Sequence, residues 1–332
     1  MNRNAKWDFY KGMLIWGVVI GHMITALKAG GDCYVWLHTF LRTYDMPMFA
    51  FISGYFIYNS FERHSLKQGI LRRVKTILFP TVIWNIVINI LTRNTRIYFW
   101  YLWSIFFCSS LVFFIIKISK NRILTAVLFL GVLLIFHTGL GERLNIGFLL
   151  FPCIVGFYYA FFEKKYIKRM ESDVFVGISI GIVAIFAILL FFWKAEYSVW
   201  NVGTDLFKNY RTFLLIFYRG VLGVVGSISM MLLFSAIFSI FKEIKMVNVI
   251  CKWGQVTLEI YILQTIVVEL IFGKLTLILI DALGYNPFIK SSSLLGFIIA
   301  PLISLVVLWA LYKIQYLLKK IPGIGKYFFR LG

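Results

Sequence analysis

Residues 8–22 read Asp8-Phe9-Tyr10-Lys11-Gly12-Met13-Leu14-Ile15-Trp16-Gly17-Val18-Val19-Ile20-Gly21-His22. Lys11 opens an apolar run that continues past His22, with no charge between the two. A helix needs about 20 mainly apolar residues to cross a bilayer, and this run supplies them. An imidazole inside such a span is costly without a partner or a task, so His22 is a candidate functional residue from the start. Eleven residues make about three helical turns, which puts Lys11 and His22 on nearly the same face, roughly 16 Å apart along the axis. Asp8 and Lys11, three apart, can pair on the helix surface.

Working outward, apolar runs of similar length recur along all 332 residues, at about 12–29, 41–59, 76–91, 98–116, 123–139, 146–162, 174–193, 213–240, 256–282 and 294–318. The chain is 61% hydrophobic and 14% charged, with a mean hydropathy of +0.85. This pattern predicts an all-α, polytopic helical membrane protein with about ten transmembrane helices, residues 1–332 forming a single membrane domain. The net charge of +20 is dispersed in short loops, notably at 63–75, 117–122, 164–169, 242–252 and 313–330, on every second connection. That is the positive-inside pattern, and it predicts cytoplasmic N- and C-termini in a multi-pass plasma (bacterial inner) membrane protein. Nucleic-acid binding needs one concentrated basic patch, so it is excluded as a function class. Cys33, Cys108, Cys153 and Cys251 lack paired spacing, so neither a disulfide framework nor a metal site is expected.

The second apolar segment opens Arg42-Thr43-Tyr44-Asp45-Met46-Pro47-Met48-Phe49-Ala50-Phe51-Ile52-Ser53-Gly54-Tyr55. Arg42 and Asp45 are spaced to pair locally, and Pro47 suits a first helical turn. Ser53-Gly54 offers a point of close approach for another helix, as do Gly220, Gly223 and Gly226 further on. Arg72, Arg73 and Lys75 follow in a basic stretch that ends at Pro80, a placement suited to phosphate. Other polar residues in apolar runs are Asn85, Asn89, Arg219, Glu259 and Glu269; Arg219 and Glu259 are expected to pair across helices, satisfying two costly charges. His137, beside Glu142 and Arg143, is placed to help hold an acceptor, whereas His38 and His64 read as interfacial and loop residues.

Together these pieces resemble the acyltransferase-3 family of multi-pass membrane enzymes. The resemblance rests on Lys11 and His22 with ten residues between them, on the Met46–Tyr55 run, and on Arg72-Arg73-Val74-Lys75 leading to Pro80. Tyr98–Trp103 is similar to the family's aromatic fourth span, and Trp253–Leu263 to its ninth-span signature. The chain departs from the family at two places: Lys11 stands where Arg is frequent, which loses a bidentate fork, and Gln264 stands where the ninth-span signature often has His. The resemblance implies an O-acyltransferase that moves an acyl group, most often acetyl, from cytoplasmic acetyl-CoA or another acyl-CoA to a hydroxyl of a surface or exported carbohydrate, lipid-linked or nascent. His22 would be the catalytic base. Lys11, Arg72, Arg73 and Lys75 would bind the donor, and Arg42, Asp45, Ser53, Trp103, Arg219 and Glu259 would support the acceptor or the structure. Acyl-CoA enters as a substrate, and no bound cofactor is expected. The competing class is a transporter or flippase for a lipid-linked glycan or small molecule, in which His22 would only relay protons.

Overall fold

A computed structural model describes residues 4–26, 32–119, 121–138, 144–167, 171–283 and 293–321. Glu142 and Arg143, and with them the surroundings expected for His137, lie outside those residues. The described residues form helices joined by short turns, with no strand among them. In chain order the helices are α1 (Ala5–Ala26), α2 (Asp32–Arg63), α3 (Leu66–Arg73), α4 (Phe79–Thr92), α5 (Trp100–Ile118), α6 (Arg122–Phe136) and α7 (Ile146–Lys165). They continue as α8 (Ser172–Phe191), α9 (Val199–Val202), α10 (Tyr210–Phe241), α11 (Lys245–Gln255), α12 (Thr257–Gln264), α13 (Gly273–Leu283) and α14 (Ser293–Lys320). Wide π turns at Val74–Leu78 and Thr265–Phe272 link α3 to α4 and α12 to α13.

Among the described residues the predicted apolar segments fall largely on helix, and fewer than ten of these helices pass as spans by length and apolarity. Seven helices are long and apolar enough to cross a membrane: α1, the continuous Leu66–Thr92 rod, α5, α7, α8, α10 and the Ile298–Lys320 part of α14. α11 and α12, bent by 76° at their junction, make an eighth if taken as one broken span. α6 is short at 15 residues. α2 is long enough at 32 residues, but Arg42, Asp45, Glu62 and Arg63 dilute its apolar character. α8 carries Val, Ile and Phe over an almost wholly exposed surface, an arrangement suited to lipid rather than water as solvent.

The chain divides into two compact units. The first comprises residues 1–45, 90–92 and 231–329, and the second 46–89, 93–230 and 330–332. α1 is the centre of the first unit, buried around most of its circumference, as its all-round apolar sequence requires. It crosses α11 at very close range. A Cβ on Gly12 would lie 2.1 Å from the Ile250 carbonyl oxygen, and one on Gly254 would lie 1.7 Å from that of Asp8. Only two glycines let the backbones meet there. α11 turns Val247, Ile250, Cys251 and Gly254 inward at helical spacing. On other sides, Trp16 donates its indole N–H to Ser304 of α14 at 2.9 Å, and Phe9 and Tyr10 pack on Phe238 and Phe234.

In the second unit the close approach expected at Gly54 is present. Its Cβ would lie 1.9 Å from the Cys153 carbonyl oxygen, and reciprocally one on Gly156 of α7 would lie 2.0 Å from that of Phe51. Gly220 meets only the Phe151 side chain, at 3.6 Å, so it makes no comparable backbone contact. Tyr55 hydrogen-bonds Glu163 at 2.6 Å, adding a polar tie between α2 and α7. The 193–211 connection lies over helix ends, with Trp200 edge-on to Trp100 at 5.4 Å.

Candidate active site

His22 has a partner. Its Nδ1 lies 3.0 Å from Glu269 Oε1, and both side chains are partly exposed, at 19% and 40%. Glu269 comes from the Thr265–Phe272 π turn, whose extra residue per turn shifts the side chains that follow relative to a regular helix. α1 is held in place by its glycine crossing with α11, and α12 packs against both α1 and α14.

The N-terminal half of α2 runs antiparallel to α1 beside this pair. A Cβ on Gly17 would touch Leu41 at 3.3 Å, and one on Gly21 would touch His38 at 3.7 Å. His38, expected at an interface, therefore stands against the residue preceding His22, with its Nε2 buried and without a hydrogen-bond partner. One turn along are Arg42 and the buried Asp45. The Tyr261 side chain of α12 is buried in the same unit. Gln264 is fully buried where the family often has His, its amide Nε2 within 3.4 Å of Thr265 Oγ1 and its Oε1 unpartnered. The first unit thus gathers two imidazoles, two carboxylates, a guanidinium, a phenol and an amide around the C-terminal half of α1.

A carboxylate accepting the Nδ1–H of a histidine fixes tautomer and ring orientation and leaves Nε2 to take a proton.

The remaining predicted residues sort differently. Lys11 lies on α1 and pairs with Asp8 at 2.8 Å, as the spacing predicts. Glu259 is in the first unit, but its partner is Lys319 of α14 at 3.0 Å, while its Oε2 stays buried and unpartnered. Arg219 is in the second unit and donates to the Gly203 carbonyl at 2.8 Å. The expected Arg219–Glu259 pair is therefore replaced by two separate partnerships. Linear spacing reveals that two buried charges need partners, but not which ones.

Ser53, Arg72, Arg73, Lys75 and Trp103 also belong to the second unit. Arg73 is buried, donates to the Gly69 carbonyl at 2.8 Å and lies over the Phe113 ring at 4.2 Å. Arg72 is exposed and reaches His64 Nε2 at 3.0 Å, and Lys75 is exposed. Ser53 is half-buried next to the Gly54 crossing, and Trp103 is half-buried on α5 with its indole N–H unpartnered. Two site residues escaped the sequence reading. Glu269 was visible only as an acidic residue in an apolar run, and His38 as one of four histidines.

Helices of membrane-spanning length, with His22 of α1 facing a carboxylate from the Thr265–Phe272 π turn, define a helical, membrane-suited protein with a titratable pair in its first unit. In comparison with known proteins, residues 4–93, which carry Lys11 and His22, match the model of a family described as an acyltransferase domain. The nodulation protein NolL of Mesorhizobium japonicum is 29% identical over 132 residues, 33% of this chain and 35% of that protein. The nodulation protein NolL of Sinorhizobium fredii is 31% identical over 91 residues, 26% of this chain and 25% of that protein. The chain therefore matches about a third or less of the length of these relatives. No solved structure matches.

Proposed function

We propose that the protein is a membrane O-acyltransferase that moves an acyl group, in the first instance acetyl, from acyl-CoA to a hydroxyl of a glycan acceptor in the bacterial inner membrane. The single observation that carries this reading is the 3.0 Å contact between His22 and Glu269, on a helix lying inside the segment matched to the acyltransferase domain. A sugar hydroxyl is a poor nucleophile until a positioned base removes its proton. In this reading His22 Nε2 takes that proton while Glu269 holds the other ring nitrogen and stabilises the imidazolium that forms. The alkoxide oxygen attacks the thioester carbonyl carbon, the C–S bond breaks, and the coenzyme A thiolate leaves with the proton returned by His22. Lys11, on the face of α1 shared with His22, is the cation offered to the phosphates of the donor. Arg42 and His38 border the position of the acceptor.

The test uses the full chain in membranes with acetyl-CoA and extracted surface glycan, following free-thiol release and the mass of the acceptor together. Wild type should release thiol and add an acetyl-sized mass, and His22→Ala should do neither at equal expression. Substrate flux without acyl-CoA consumption would instead favour a transporter.

A further inference from the structure

Among the described residues, the second unit contains a buried cation that no acidic side chain pairs with. Arg219 on α10 is 4% exposed. Only its Nη2 is spent on protein, on the Gly203 carbonyl, while Nε and Nη1 have no hydrogen-bond partner. The guanidinium lies over the Phe148 ring, 5.2 Å from its centre. No acidic side chain among the described residues pairs with it. Burying an unpaired guanidinium is expensive, and a structure that keeps one needs a counter-charge from somewhere.

The surroundings add further unspent hydrogen-bonding capacity. Thr204, next to Gly203, is completely buried with its hydroxyl unpartnered. Asn145, immediately before α7, is 3% exposed, and its amide Nδ2 is unpartnered. Its backbone is held in the left-handed region at φ 52°, and its side chain makes no cap to the helix. The helix that begins there also directs the positive end of its dipole toward this region.

The pieces are tied to one another. Leu206 N–H donates to the His137 carbonyl at 2.9 Å, pinning the 203–206 loop to the end of α6. The His137 ring packs on Gly147, where a Cβ would lie 2.8 Å from it, and Phe148 beneath Arg219 is the next residue. Asp205, the acid in this loop, turns its carboxylate to the Phe207 N–H at 2.9 Å.

We infer that Arg219, with Thr204 and Asn145, forms a binding site for an oxyanion group, a carboxylate or a phosphate. This site is separate from the His22–Glu269 pair and does not depend on acyl transfer. The planar Arg fork suits both kinds of oxyanion. An acidic sugar and a lipid phosphate both carry such a group, and the experiment separates them.

The full chain is purified and its thermal unfolding followed with inorganic phosphate, glucuronate and glucose, first in detergent and then in discs of neutral or phosphatidylglycerol-containing lipid. Phosphate or glucuronate should raise the melting temperature with concentration, and glucose should not. Stabilisation only in phosphatidylglycerol discs would identify the lipid phosphate as the source of the oxyanion.

Arg219→Gln should lose the response while melting, without added anion, at or above the wild-type temperature, because it removes an uncompensated charge. Asn145→Asp places a carboxylate one turn before Phe148, the ring under Arg219; it should likewise abolish the response and raise the melting temperature. An absent response in wild type under every condition, or an equal one in Arg219→Gln, overturns the proposal. So does an Arg219→Gln variant that is destabilised without anion, since the guanidinium would then be a structural element.

Discussion

Replacing Glu269 by Gln keeps the shape of the side chain and an oxygen able to accept from His22 Nδ1, but removes the negative charge that would stabilise the imidazolium in the transition state. The magnitude follows from the 3.0 Å separation. Coulomb attraction at that distance is about 1.4 kcal/mol in a water-like medium and about 5 kcal/mol at the effective dielectric of a protein surface. With Glu269 40% exposed, the lower half of that range applies. About 2 kcal/mol corresponds to a rate roughly 30-fold lower. Glu269→Ala also removes the orientation of the ring and should fall further, toward His22→Ala, for which about 10²- to 10⁴-fold is expected when a general base is lost. The assay is acetyl-CoA-dependent thiol release by the full chain in membranes, normalised to protein amount, with kcat and KM for the donor determined separately. The loss should appear in kcat. A Glu269→Gln variant with unchanged kcat would refute the role of the carboxylate, and a fully active His22→Ala would refute the catalytic assignment as a whole.

Other outcomes follow from packing and charge. Gly254→Ala must move a methyl group from 1.7 Å to at least 3.0 Å from the Asp8 carbonyl, parting α1 and α11 by more than an ångström. It should destabilise by about 3 kcal/mol, the upper end for overpacking, and lower activity through α1, read as thermal stability and thiol release together. Gly54→Ala meets the Cys153 carbonyl at 1.9 Å and should destabilise the α2–α7 contact to a similar degree, seen as a lower melting temperature or loss of folded yield. Lys11→Ala should raise the apparent KM for acetyl-CoA about 10-fold, the equivalent of one charged hydrogen bond, while Lys11→Arg restores it. An unchanged KM in Lys11→Ala would remove it from the donor site.

Helix was legible nearly everywhere, because a run of about 20 apolar residues has no other way to satisfy its backbone in lipid. The span count was less legible. α2 has the length to cross but not the apolarity, and α11–α12 has the apolarity but breaks by 76°. Single-residue readings held where they depended on local spacing. Asp8 and Lys11 pair because residues three apart on a helix are neighbours, and Gly54 admits a helix because it lacks a Cβ. A reading that depended on partners distant in the chain did not hold: Arg219 and Glu259 each found another partner.

By itself the sequence determined a helical, membrane-suited chain and set Lys11 and His22 on one face of its first helix, since both follow from composition and the helical repeat. Tertiary structure alone decided that Glu269, 247 residues further on, meets His22, that His38 stands beside it, and that Arg219 is buried with no acidic partner among the described residues. Those outcomes depend on helix crossings set by a few glycines and on a π turn, and neither leaves a mark in the periodicity of the chain.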